Sequence, residues 1–221
     1  MRDLAILRAC SLSVLFVGLL WMQAPQRSPH QHAPSPKPTP AYEQPLTGYE
    51  VVVLFAEFID AFEKGLTEAF QKPIRTGGAG KVTLTGTHPA WAIDALKEVK
   101  ARGAIPSQFN GSKPMARYQV AVMLARYARQ LDARMRTVVG APIGKTEFRV
   151  QPRIALDAEH PAYADLQFLA QGGWVQAGST LYHKPMEPIL GKELPDMLRD
   201  LAQRVLERYR DEPHLKESTT P

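Results

Sequence analysis

The sequence predicts an all-α fold built from repeated helix-loop-helix units. Three observations carry that prediction. A proline-led segment recurs three times, as Pro45-Leu46-Thr47-Gly48-Tyr49-Glu50, Pro114-Met115-Ala116-Arg117-Tyr118-Gln119 and Pro188-Ile189-Leu190-Gly191-Lys192-Glu193, at spacings of 69 and 74 residues. Each copy runs into a stretch whose apolar residues fall at i, i+3, i+4, i+7, i+8 and i+11, the spacing of one helix face. A second echo, His88-Pro89-Ala90-Trp91-Ala92 and His160-Pro161-Ala162-Tyr163-Ala164, stands upstream of the last two copies. Repeats of this size cannot bury their stripes alone and pack on one another.

The first long helix has the stripe Val51, Leu54, Phe55, Phe58, Ile59 and Phe62. The second has Val120, Met123, Leu124, Tyr127, Ala128 and Leu131, and the third Leu194, Met197, Leu198, Leu201, Ala202 and Val205. Short helices are expected over Ala90 to Arg102 and Ala162 to Gln171, each opened by proline and an aromatic. Gly103 and Gly172-Gly173 end them in the left-handed conformation. Polar loops, Ile105 to Lys113 and Val175 to Lys184, lead into the long helices. The units are a half-module over 45–66 and modules over 88–132 and 160–209, within a domain spanning 45–210.

In the middle copy, Trp91-Ala92, Gly103, Phe109, Gly111 and Pro114 to Gln119 followed by Val120-Ala121-Val122 resemble the S-layer homology (SLH) module. The resemblance covers about Pro45 to Tyr209. It implies three modules packed as a pseudo-threefold bundle and non-covalent attachment to cell-envelope glycan, often a pyruvylated polymer linked to peptidoglycan. It implies ligand contacts at Tyr49, Glu50, Trp91, Arg117, Tyr118, Gln119, Tyr163, Lys192 and Glu193. The family's Thr-Arg-(Ala/Tyr)-Glu box reads Thr47-Gly48-Tyr49-Glu50, Ala116-Arg117-Tyr118-Gln119 and Leu190-Gly191-Lys192-Glu193, so only the second copy keeps the arginine.

Each of these residues also has a plainer reading. Thr47 and Glu50 have the spacing of a capping box, which closes a helix start and binds nothing. Arg117 is either a guanidinium fork for a carboxylate or phosphate at a helix N-terminus, or a solvated charge. Trp91 and Tyr163 are either platforms for a sugar ring or core aromatics. His88 and His160 occupy equivalent helix starts, which favours capping over a shared metal.

Residues 1–24 read as an export segment. Arg2 and Arg8 precede an uncharged, mostly apolar run of 14 residues, Ala9 to Met22. That run suits a signal peptide and is short for a membrane span, which takes about 20 residues. Pro25 disfavours cleavage after Ala24, so an uncleaved membrane anchor is the alternative. Residues 25–44, with the adjoining Pro45, hold seven of the 19 prolines and form an extended linker. Cys10 is the single cysteine and lies in the export segment, so no disulfide is expected in the exported domain.

The net charge of +5 partly reflects Arg126, Arg129, Arg134, Arg136, Lys145, Arg149 and Arg153. That excess fits an anionic partner such as a wall polymer or membrane surface, and equally a solvated helix face. Gly77-Gly78-Ala79-Gly80-Lys81 lacks the first glycine and the Ser/Thr of a phosphate-binding loop. Val138 to Leu156 is expected to be a connection with short extended pieces, and 211–221 a polar tail. No nucleophile elbow, His-Glu-x-x-His motif or metal-ligand cluster appears, so the expectation is a non-enzyme without cofactor or metal. The expected partners are cell-wall polysaccharide or a peptidoglycan-linked polymer, with other envelope proteins if the units serve only as a scaffold. Nucleic acid is not expected, because the loops exceed the 3–4-residue turn of a helix-turn-helix.

Overall fold

The computed structural model describes residues 42–77, 84, 86–143 and 151–209. Residues 1–24, read as an export segment, residues 25–41 of the expected linker, Gly78 to Lys81, Phe148 to Val150 and residues 210–221 lie outside them, together with Cys10. The order is α1 (Gly48–Phe70), a 3₁₀ turn (Ala90–Ala92), α2 (Ile93–Ala101), α3 (Arg117–Val138), α4 (Tyr163–Gln171), α5 (Thr180–His183) and α6 (Glu193–Tyr209). The described residues contain no β-strand, only isolated bridges, so the all-α expectation stands. Among the described residues no helix is long and apolar enough to cross a membrane. The apolar run 9–22 falls outside them.

The three bridges join the proline-led segments to one another: Pro45 to Leu190, Thr47 to Pro114 and Ala116 to Pro188. Main-chain hydrogen bonds turn the three segments into a closed ring. Leu46 N–H donates to Ile189 C=O, Ile189 N–H to Met115 C=O and Met115 N–H to Leu46 C=O, each at 2.9 Å. A second cycle runs Gly48 to Lys113, Arg117 to Glu187 and Gly191 to Gln44, at 2.9–3.0 Å. A third runs Tyr49 to Gly111, Tyr118 to Pro185 and Lys192 to Tyr42, at 2.8–2.9 Å. Four of these donors, Gly48, Tyr49, Arg117 and Tyr118, are N–H groups in the first turn of α1 or α3 that no intrahelical carbonyl can reach. The ring therefore supplies the partners that the starts of α1 and α3 lack, and ties the chain just before α6 to them.

Leu46, Met115 and Ile189 point into the core from the ring and are at most 2 % exposed. In α3 every residue of the expected stripe is buried. In α6 all are buried except the half-buried Ala202. In α1 the stripe is wider than expected, for Val52, Val53 and Ala56 are buried too, whereas Phe58 and Phe62 are only half-buried. The reason is a second contact face: α2 packs on α1, as α4 packs on α3. On α6 the positions equivalent to Val53 and Ala56 are Asp196 and Arg199, an exposed ion pair at 2.9 Å. The polar pair suits a helix that, among the described residues, receives no short helix on that side.

The loop expected over Val175 to Lys184 contains α5, a single turn capped by the Ser179 hydroxyl. Its Leu181 and Tyr182 are fully buried and anchor the chain to the core. Gly103 and Gly173 end the short helices at φ of +60° and +61°, as expected. The upstream echo is shifted, however. Ala92 precedes α2 and Ala162 precedes α4 as helix caps, so Tyr163 matches Ile93 and not Trp91. The extra 3₁₀ turn before α2 takes up the two-residue difference.

Glu63 of α1 and Arg102 at the end of α2 form a buried pair at 3.0 Å. Glu63 also accepts from Thr76, at 3.0 Å from its N–H and 2.5 Å from its hydroxyl. The pair pins the chain after α1 to the end of α2. Buried carboxylates persist only when matched this fully.

Candidate functional site

The ring creates junctions where each long-helix start meets the loop of a neighbouring unit. At the first junction Tyr49 lies among aromatic side chains. Its hydroxyl is 2.9 Å from His88 Nδ1. Its ring meets those of His88, Trp91 and Phe109 edge-on, with centroids 5.9, 6.0 and 6.1 Å away. All four side chains are half-buried. Edge-to-face packing of this kind holds each ring in place, which a rigid platform requires. The backbone gives way for the rings: a Cβ on Gly111 would sit 2.2 Å from Tyr49 Cε1, and one on Gly48 2.6 Å from the Asn110 carbonyl oxygen.

At the second junction the residue matching Gly48 is Arg117, and the chemistry changes. Arg117 is 4 % exposed. Its Nε and Nη2 donate to Glu193 at 2.9–3.2 Å, a bidentate pair. Its Nη1 donates to Glu187 at 3.1 Å and to the Lys184 carbonyl at 3.4 Å. Glu193 is itself filled, accepting from the Thr180 hydroxyl at 2.9 Å and Leu190 N–H at 2.8 Å. Two carboxylates thus face one guanidinium. The fork read as a receptor for an acidic ligand is occupied by the chain's own acids, and the solvated alternative fails as well. Beside it Tyr118 packs edge-on against His160 at 4.9 Å, and His160 Nδ1 accepts from Ala162 N–H at 3.1 Å, serving the start of α4.

The third junction carries Lys192, whose Nζ lies 2.7 Å from Glu43. That hydrogen bond holds the ammonium pKa above its ordinary value. Exposed Tyr42 adjoins it.

The final residues of the three boxes have one role in common. Glu50 accepts from Thr47 N–H at 2.7 Å, Gln119 from Ala116 N–H at 3.1 Å and Glu193 from Leu190 N–H at 2.8 Å. Each closes its own helix start, the capping reading of the box. The structure therefore gathers Tyr49 and Trp91 into one cluster, sets Arg117 and Glu193 in another, and leaves Tyr163 half-buried at the start of α4, its N–H donating to the His160 carbonyl at 2.8 Å. Sequence reasoning missed His88 and Phe109 as members of the first cluster and Glu187 as a partner of Arg117. The repeat of histidine at 88 and 160 was the available signal for the first. Among the described residues no group of three or more His, Cys, Asp or Glu could hold a metal ion.

No protein-family model, no curated protein and no solved structure matches the chain.

Proposed function

We propose that this chain is an exported cell-envelope protein whose SLH-like units, arranged about a pseudo-threefold axis, hold cell-wall glycan non-covalently. The symmetric arrangement is supported by the three hydrogen-bond cycles, whose members recur at the 69- and 74-residue spacings of the sequence. Binding rests on one observation: the half-buried rings of Tyr49, Trp91 and Phe109, fixed by mutual packing and by the Tyr49–His88 hydrogen bond. A sugar's apolar C–H face stacks on such rings, while the phenol and imidazole offer hydrogen bonds. Arg117 is reassigned to holding the second junction closed.

The test is co-sedimentation of the protein with purified wall sacculi, with and without the attached acidic polymer. Trp91→Ala should abolish retention, and an unaltered yield with that variant sinks the platform. A second reading, an assembly scaffold without glycan binding, is favoured by the self-neutralised Arg117 cluster. It predicts no retention on either preparation.

A further inference from the structure

We propose that the flank of the bundle running from the middle of α3 to the end opposite the ring is a second binding surface, for a linear polyanion, built from Lys72, Arg75, Arg126 and Arg134. The cations of the sequence concentrate there. Residues 64–75 and 126–136 together hold seven, Lys64, Lys72, Arg75, Arg126, Arg129, Arg134 and Arg136, against two carboxylates, Glu68 and Asp132. Asp132 is spent on Arg136 at 2.7 Å, and Arg129 is matched by Asp165 at 2.5 Å.

Three of the remaining five cations are held by neutral groups. Lys72 Nζ donates to the Val138 carbonyl at 2.8 Å, Arg126 Nη1 to that of Ile105 at 2.7 Å and Arg134 Nη2 to that of Pro73 at 2.7 Å. Among the described residues no carboxylate lies within ion-pair distance of these three, and Arg75 reaches Glu98 only at 4.0 Å. A carbonyl fixes a cation in place without cancelling its charge. The negative ends of α1 and α3 draw cations here but amount to only about half a charge each. A net positive field therefore remains.

The shape selects the partner. Arg126 and Arg134 stand two turns apart on one face of α3, about 12 Å along its axis. Both are half-buried beside the turns that follow α2 and α1, with Gln130 between them donating to the Arg102 carbonyl. The Arg134 Nε and Gln130 Oε1 atoms are buried with no partner in this row. A narrow, partly sunken line of guanidinium groups receives one chain of repeating phosphates or carboxylates, whereas a flat bilayer reaches only exposed Lys72 and Arg75. The described chain begins at Tyr42 beside the ring, roughly a helix length from this end, or about 35 Å for the 23 residues of α1. The surface so placed extends along the bundle away from Tyr42.

The probe is long-chain inorganic polyphosphate, titrated into the whole protein and read by fluorescence anisotropy at low and at physiological salt. Binding should weaken steeply with salt, as contacts between cations and a polyanion do. The exposed-site variant Lys72→Glu/Arg75→Glu should bind at least ten-fold more weakly, and Arg126→Gln/Arg134→Gln should lose a similar factor. Lys113→Glu at the ring and Trp91→Ala should leave polyphosphate binding unchanged, which separates this surface from the glycan platform. Should the Arg126/Arg134 variant fail to fold, the exposed pair still decides. The proposal is overturned by equal affinity of the Lys72/Arg75 variant, or by binding to phosphatidylglycerol vesicles without binding to polyphosphate.

Discussion

Two junctions of the ring share a backbone and differ in everything attached to it. At the first, Gly48 leaves room for the Asn110 carbonyl, and Tyr49 settles among three rings. At the second, Arg117 takes the place of Gly48 and is chelated by Glu193 and Glu187. Both supply the same main-chain donors, Gly48 and Tyr49 in one and Arg117 and Tyr118 in the other. The ring asks only for N–H and C=O groups in register, so side chains at these positions are free to diverge. Their chemistry is then set by the loop opposite, 109–111 at one junction and 184–187 at the other. One junction keeps half-exposed aromatic surface, and the other seals itself with charge.

The largest expected effect separates a capping acid from an acid that also matches a buried cation. Glu193→Ala leaves Arg117 buried with only Glu187 and should cost about 3–5 kcal/mol, the penalty for orphaning a buried ion. Glu50→Ala removes only a cap and should cost about 1 kcal/mol. Urea denaturation of the two variants checks this. Equal losses would mean that the Arg117 pair contributes no more than a helix start, and the contrast between the junctions would collapse.

The next effect tests how tightly the aromatic junction is built. Gly111→Ala puts a methyl group 2.2 Å from the Tyr49 ring and should destabilise by about 1–3 kcal/mol, with overpacking as the cause. Gly65→Ala, inside α1 with nothing within 4 Å of the new atom, should instead stabilise by about 0.5–1 kcal/mol. Thermal melts would show opposite shifts. A tolerated Gly111→Ala would mean that Tyr49 moves freely, which a sugar platform cannot do.

The helices were legible because their information is local. The apolar period of α3 is buried residue for residue, and the Thr47–Glu50 spacing forms the cap it suggests. The ring was half legible: the proline-led segments recur, but recurrence does not say that they pair with one another. The Arg117 cluster was not legible, because Glu187 and Glu193 lie 70 and 76 residues away and nothing local marks them as its partners. The buried Glu63–Arg102 pair was missed for the same reason, being 39 residues apart in the chain. Helix α5 was hidden by its length, since four residues hold no period. Trp91 and Tyr163 share the letters of the echo but not its register: the buried positions, Leu96 with Leu166 and Val99 with Leu169, carry the true alignment.

The smallest effect is the most specific to the proposed platform. Tyr49→Phe keeps the ring contacts and removes the hydroxyl that pairs with His88, so it should cost about 1 kcal/mol, the net worth of one hydrogen bond. Tyr118→Phe, at the matching position, deletes a hydroxyl that makes no hydrogen bond among the described residues, and should change stability by less than about 0.5 kcal/mol. On wall binding the two should also part. Freed from Tyr49, His88 loses the contact that orients its ring beside Trp91, so Tyr49→Phe should weaken retention on sacculi while Tyr118→Phe leaves it unchanged. If both variants bind as the parent does, hydrogen bonding by Tyr49 plays no part, and the platform reduces to the faces of Trp91 and Phe109. If both weaken binding equally, the second junction also meets the glycan despite its closed arginine, and the distinction drawn between the two junctions is wrong.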